Sequence, residues 1–230
     1  MNELFRPMSR AAAALGLACA CGCFPAITHG ARIEDGWIVG LMAGSTSGNT
    51  HTEGDEGGFH LRQALVGPFV GYGTEPARPT QPGYYIGAAV PLFFPVTQID
   101  AYLQLPPAWT PHLASGLGAT ASLESLHGYA MLGGELDRAV SWYVAGGYGS
   151  RQSSSRFQST SPAWFGNAGI IMASGYLRTQ LFVESAAGRI PGSCFTDPVT
   201  QGNVCNRGEQ ARALSFGVAL GRQQHHANKR

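Results

Sequence analysis

Eight residues, 177–184, constrain the fold more than any other feature of the chain. Leu177, Thr179, Leu181 and Val183 alternate with Arg178, Gln180, Phe182 and Glu184, so one face of an extended segment is apolar while the other carries two opposite charges and an amide. A helix would scatter these residues around its axis, and only a period of two separates them. The segment is therefore a strand with two unlike faces. Either the charges meet water and the apolar side packs inward, or the apolar side meets lipid and the charges line a lumen.

The same pattern recurs. Ile99, Ala101, Leu103 and Leu105 oppose Gln98, Asp100, Tyr102 and Gln104. Leu113, Ser115, Leu117, Ala119, Ala121 and Leu123 oppose Ala114, Gly116, Gly118, Thr120 and Ser122, and near the end Leu214, Phe216, Val218 and Leu220 oppose Ala213, Ser215, Gly217, Ala219 and Gly221. Less regular strands are expected over 37–45, 64–73, 84–93, 128–136, 141–149 and 163–173. The total is ten, or eight if one weak pair is demoted. The gaps 46–63, 150–162 and 187–210 are long, whereas those at 137–139 and 174–175 are tight, as in a meander whose loops are long on one side and short on the other. The short gaps 95–97 and 124–126 and the longer 74–83 fit that rule less well.

Export supplies the argument for lipid. Arg6 and Arg10 precede an apolar run over 11–24, followed by small and turn residues over 26–31, which is the order of a secretory signal. The run is well short of the roughly 20 residues of a spanning helix. Cleavage after Ala20 or after Gly30 fits, and Met8 is an alternative start. We divide the chain into a cleavable signal over 1–30, a barrel over 31–222 and a polar tail over 223–230. Cys19, Cys21 and Cys23 raise lipidation as an alternative, although Leu17 is misplaced for all three. Only 13% of residues are charged, against about 25% in ordinary soluble domains, and no predicted helix covers a second apolar face. The expectation is an all-β, closed, antiparallel up-and-down transmembrane barrel in a Gram-negative outer membrane. Its 32 glycines recur inside the apolar strands without a collagen-like period. A net charge of +1 offers no footprint for nucleic acid.

In this pattern the chain resembles small bacterial outer-membrane barrels over about residues 35–222. The resemblance rests on the strand Ala213-Leu214-Ser215-Phe216-Gly217-Val218-Ala219-Leu220, which looks like the closing strand by which their assembly machinery recognises them. In most of them an aromatic ends the chain, whereas here 222–230 trail beyond the strand. The resemblance implies outer-membrane lipid and the barrel-assembly machinery as partners, and it names no partner at the surface.

Candidate chemistry is sparse. Cys194 and Cys205 bracket a turn-rich loop and are expected to form a disulfide in an oxidising compartment. Asp100, Glu135, Arg178 and Glu184 fall on the lumen face as a polar network, since charges inside a narrow barrel need partners. Ser125 and His127, with Glu124 or Glu135 as the acid, form the weak candidate for a lipid hydrolase. Small outer-membrane lipid deacylases use such residues on an outer wall, but their compact His-x-Ser order is absent. His51, Glu53, Asp55, Glu56 and His60 share a Gly-rich loop read as solvated rather than metal-binding, and His225-His226 as a solvated end. No cofactor is expected. The leading reading is a non-enzymatic barrel with a side-chain-filled lumen, acting through its loops. The alternatives are the hydrolase and a soluble exported barrel holding a small apolar ligand inside.

Overall fold

The computed structural model describes residues 27–52, 59–90, 97–122, 125–151, 161–190, 194–196, 203–205 and 209–224. Ten strands follow one another as an antiparallel meander: β1 (Gly36–Thr52), β2 (Phe59–Thr74), β3 (Gly83–Ala89), β4 (Gln98–Gln104), β5 (Ala114–Ala121), β6 (Ser125–Asp137), β7 (Val140–Arg151), β8 (Ser161–Ser174), β9 (Leu177–Ile190) and β12 (Glu209–Gln224). Between the last two lies a separate hairpin, β10 (Cys194–Thr196) with β11 (Asn203–Cys205). β1 pairs with β12 from Trp37 opposite Gln224 to Thr52 opposite Glu209. The barrel is thus closed, although β2 pairs β3 only over Phe69–Thr74, so its distal stretch has no ladder partner on that side among the described residues.

Two-residue turns join β6 to β7 and β8 to β9, both at the mouth where β1 begins, here called the proximal mouth. At the second turn Gly175 has φ 59°, a left-handed conformation that a Cβ disfavours. At the first, the Asp137 carboxylate accepts the Arg138 amide at 2.7 Å, and the pairing shifts register between Glu135 and Asp137. β1 and β2 run well past the 9–11 or so residues that a strand needs to cross a bilayer. They project beyond the distal mouth, so much of the expected loop 46–63 is strand. β12 extends to Gln224, two residues into the expected tail.

Burial decides which face points inward. Leu181 and Val183 are 47% and 45% exposed, whereas Gln180 and Glu184 are 1% and 6%. Leu41, Ile86, Leu117 and Val144 also stand on the outside. Leu214, Phe216 and Leu220 point outward as well, which overturns the alternative of a soluble barrel with that face around an apolar ligand. Their strand turns its small residues inward because the lumen needs the space: a methyl group on Gly217 would come within 2.5 Å of the Phe182 ring. Gly71 and Gly87 play the same part beside Tyr85, whose phenol would overlap a Cβ at either position. The glycines let large rings lie flat against the inner wall.

Candidate functional site

The lumen is filled by more than its own side chains. Residues 27–33 run inside the barrel, buried except at Arg32 as the chain descends to the proximal mouth, and Gly36 begins β1 there. The segment is tied to four strands. Gln180 on β9 donates its Nε2 to the Ile27 carbonyl at 2.8 Å and to the Tyr143 hydroxyl at 2.7 Å. Thr28 shares a 2.8 Å hydrogen bond with Tyr85 on β3. On β4, the Tyr102 hydroxyl donates to the Ala31 carbonyl at 3.0 Å, and Gln104 Oε1 accepts the Ile33 amide at 2.7 Å. The fourth strand is β6, through Tyr129.

His29 is the centre of this segment. Its ring lies 4.3 Å from that of Tyr85 and 4.6 Å from that of Tyr102, centroid to centroid. Nδ1 is 2.9 Å from the Gly30 carbonyl, so this nitrogen donates. Nε2 is 3.0 Å from the Tyr129 hydroxyl, which in turn donates to Asp100 Oδ1 at 2.8 Å. Asp100 Oδ2 also stands 3.0 Å from Nε2, but off the line of a directed hydrogen bond, so the contact is electrostatic. Tyr129 thus bridges His29 and Asp100, and the three side chains form one buried cluster.

The expected lumen network is divided by height. Asp100 belongs to the His29 layer. Glu184 accepts from Asn167 Nδ2 at 2.9 Å nearer the distal mouth. Arg178, buried at the proximal mouth, lines a cavity of about 310 Å³ and has no hydrogen-bond partner for its Nε among the described residues. Arg178 and Glu184 are six residues apart on one strand, roughly 20 Å, too far to pair. Glu135 lies at the proximal mouth, exposed, in an ion pair with Arg32 of the luminal segment, and lines the same cavity as Arg178.

Of the hydrolase candidates, the described side chains are those of His127 and Glu135. His127 points into the lumen, buried against the edge of the Phe165 ring at 6.1 Å, rather than onto the outer wall that meets lipid. Ser125 begins β6, and its side chain lies outside the described residues, as does Glu124. Glu135 is eight residues from His127, roughly 26 Å along the strand. The described residues contain no group of three metal-ligating side chains. Of the Gly-rich loop, residues 53–58 lie outside the described residues, as do Cys19, Cys21, Cys23, His225 and His226. Cys194 and Cys205 stand directly opposite each other in the β10–β11 register.

Sequence reasoning missed the luminal segment because 27–30 read as the end of an export signal. The signal that points to it is the row of inward tyrosines, Tyr85, Tyr102, Tyr129 and Tyr143, whose buried hydroxyls require partners.

No family model and no curated protein sequence matches the chain. Among solved structures it is similar to the outer-membrane protease OmpT of Escherichia coli, at 8% identity over 83% of this chain and 97% of that one, with a TM-score of 0.42. It is also similar to the outer-membrane protein OprG of Pseudomonas aeruginosa, at 11% identity over 86% of this chain and 100% of that one, with a TM-score of 0.38. A third is Ail, the attachment invasion locus protein of Yersinia pestis, at 11% identity over 81% and 99%, with a TM-score of 0.30. The likeness is one of architecture.

Proposed function

We propose that the chain is an integral barrel of a Gram-negative outer membrane, with a filled lumen, and that it acts without catalysis through the loops at its distal mouth. One observation carries this reading: the wall is inverted relative to a soluble barrel, apolar outside and polar within. Among the residues with described side chains, the outward charges of β12, Arg212 and Arg222, stand toward the two ends of its exposed face, Arg222 over the Tyr176 ring, and the wall between two aromatic levels is mainly apolar. Trp37, Tyr72 and Tyr84 mark the proximal level, and Tyr148 and Trp164, with rings 4.6 Å apart, mark the distal one. Exposed side chains such as Leu41, Ile86, Leu117 and Leu181 fill the band between them. Such a surface is costly in water and fits a bilayer core flanked by interfacial aromatics.

In this reading the proximal mouth, with its tight turns, faces the periplasm. The distal mouth presents the loops around 46–63, 150–162 and 187–210 to the exterior for structural or adhesive contact. Export requires a signal within the first thirty residues, and insertion requires the barrel-assembly machinery. The β10–β11 hairpin carries a Cys194–Cys205 disulfide, because directly opposed residues on antiparallel strands have Cα atoms roughly 4.5–5.5 Å apart, inside the range that such a bond spans. The test is cell fractionation with gel analysis before and after boiling. The protein is expected in the detergent-requiring outer-membrane fraction with a heat-shifted band, and a freely soluble periplasmic pool would refute the reading.

A further inference from the structure

The two cleavage points allowed by the amino-terminal sequence have opposite structural consequences. Cleavage after Ala20 leaves the luminal segment in place. Cleavage after Gly30 removes Ile27, Thr28 and His29, and with them the partners of Gln180, Tyr85 and Tyr129. It also takes away the His29 ring that stands 3.0 Å from Asp100 Oδ2, a side chain 4% exposed with the segment in place.

The barrel is also shaped to receive the segment. Gly36 has φ 114°, a conformation that favours glycine, at the point where the chain leaves the lumen and reverses into β1. Asp35 accepts the Glu75 amide at 2.7 Å and holds that reversal against the end of β2. Where Ala31 passes the wall, the wall residue is Gly133, whose added methyl would lie 2.7 Å from the Ala31 Cβ. Where the wall instead presents Ile171, the segment has Gly30, whose added methyl would lie 2.8 Å from Cδ1. Small residues thus meet the close approaches from both sides.

We propose that export cleavage falls ahead of Ile27, after Ala18-Cys19-Ala20, and that residues 27–35 remain in the mature protein as a plug closing a pore for small cations. The spacing of small residues in Ala18-Cys19-Ala20 suits signal removal. The cation preference follows from the groups that the plug leaves behind: Gln98, Gln104, Asn167 and Gln180 supply a polar wall, and among the described buried side chains two carboxyl groups, Asp100 and Glu184, stand against one guanidinium, Arg178. This inference rests on the membrane reading above.

Two measurements test it. Intact-mass analysis of protein extracted from outer membranes is expected to show a mature chain that begins at or before Ile27, and a chain beginning after Ile27 overturns the proposal. Purified protein is then reconstituted in lipid vesicles and planar bilayers, with potassium chloride as the probe. The unaltered protein is expected to be electrically silent, and a variant lacking 28–33 to show cation-selective unitary currents. His29→Ala, which keeps the segment but empties the space between Tyr85 and Tyr102, is expected to show brief openings and covers the case in which the deletion does not fold. Steady conductance from the unaltered protein overturns the plug, as does silence from variants that float with vesicles. If even the unaltered protein fails to float, the membrane reading fails and the inference falls with it.

Discussion

The two halves of the lumen satisfy their polar groups in different ways. In the proximal half, Tyr85, Tyr102, Tyr129, Asp100, Gln104 and Gln180 each reach a partner on the luminal segment or beside it. Buried polar atoms without a hydrogen-bond partner among the described residues occur in both halves, Thr120 Oγ1, His127 Nδ1 and Asn167 Oδ1 distally and Asp100 Oδ2, Arg178 Nε, Gln180 Oε1 and Gln223 Nε2 proximally. The halves differ in the main-chain partners that residues 27–33 bring to the proximal one. Polar side chains crowded on a concave wall point at one another at fixed spacing and cannot all pair. A peptide segment threaded between them offers a donor and an acceptor at nearly every residue. The difference is thus one of main-chain partners, which the luminal segment supplies to the proximal wall.

Breaking the stitched half should have the largest effect. Asp100→Ala leaves His29 facing a void and removes the acceptor of Tyr129, so it is expected to cost about 3–5 kcal/mol, the usual result of deleting one partner of a buried pair. Urea unfolding of the refolded barrel in detergent or vesicles reads this directly, and an unchanged midpoint would show that the His29 layer contributes little.

The next effect separates the wall's two faces on one strand. Leu181→Arg puts a charge on the lipid side and is expected to cost about 2–4 kcal/mol near the midplane. Glu184→Leu takes the acceptor from Asn167 inside and is expected to cost about 1–3 kcal/mol. The same unfolding assay compares them, and a near-neutral Glu184→Leu beside a crippling Leu181→Arg would count against a buried, polar interior.

The smallest effect sharpens the contrast between the halves. His127 already has an unpaired nitrogen, so His127→Leu removes a polar group without orphaning another and is expected to change stability by less than about 1 kcal/mol. If it destabilises as much as Asp100→Ala, the distal half is as tightly bonded as the proximal one. In that case the difference between the halves disappears.

Much of this architecture was legible because it is local. A strand's two faces are set by neighbours two residues apart, so the alternation at 177–184 and around Phe216 identified strands and their unlike sides without knowledge of the fold. The tight gaps read at 137–139 and 174–175 were visible for the same reason, and the turns lie within a residue of them. Parity carried the inward positions of Asp100, Arg178 and Glu184, and it put Glu135 on the same face, where the strand has reached the open mouth and the side chain is exposed beside Arg32. Periodicity gives a residue's side. It does not give its height along the lumen, so parity grouped Arg178 with Glu184 although they lie in different layers.

The sequence by itself determined an all-β barrel of two-faced strands and the residues on each face, since these follow from backbone geometry over a few residues. Two matters belonged to the tertiary structure. Whether the apolar face looks out or in depends on closure of the sheet, which places Leu181 outside and Gln180 within. The role of residues 27–35 depends on contacts with Asp100, Tyr129 and Gln180, which lie 71, 100 and 153 positions from the residues they meet in the segment. No local pattern encodes such partners, because an irregular segment without periodicity acquires its meaning only when distant strands enclose it.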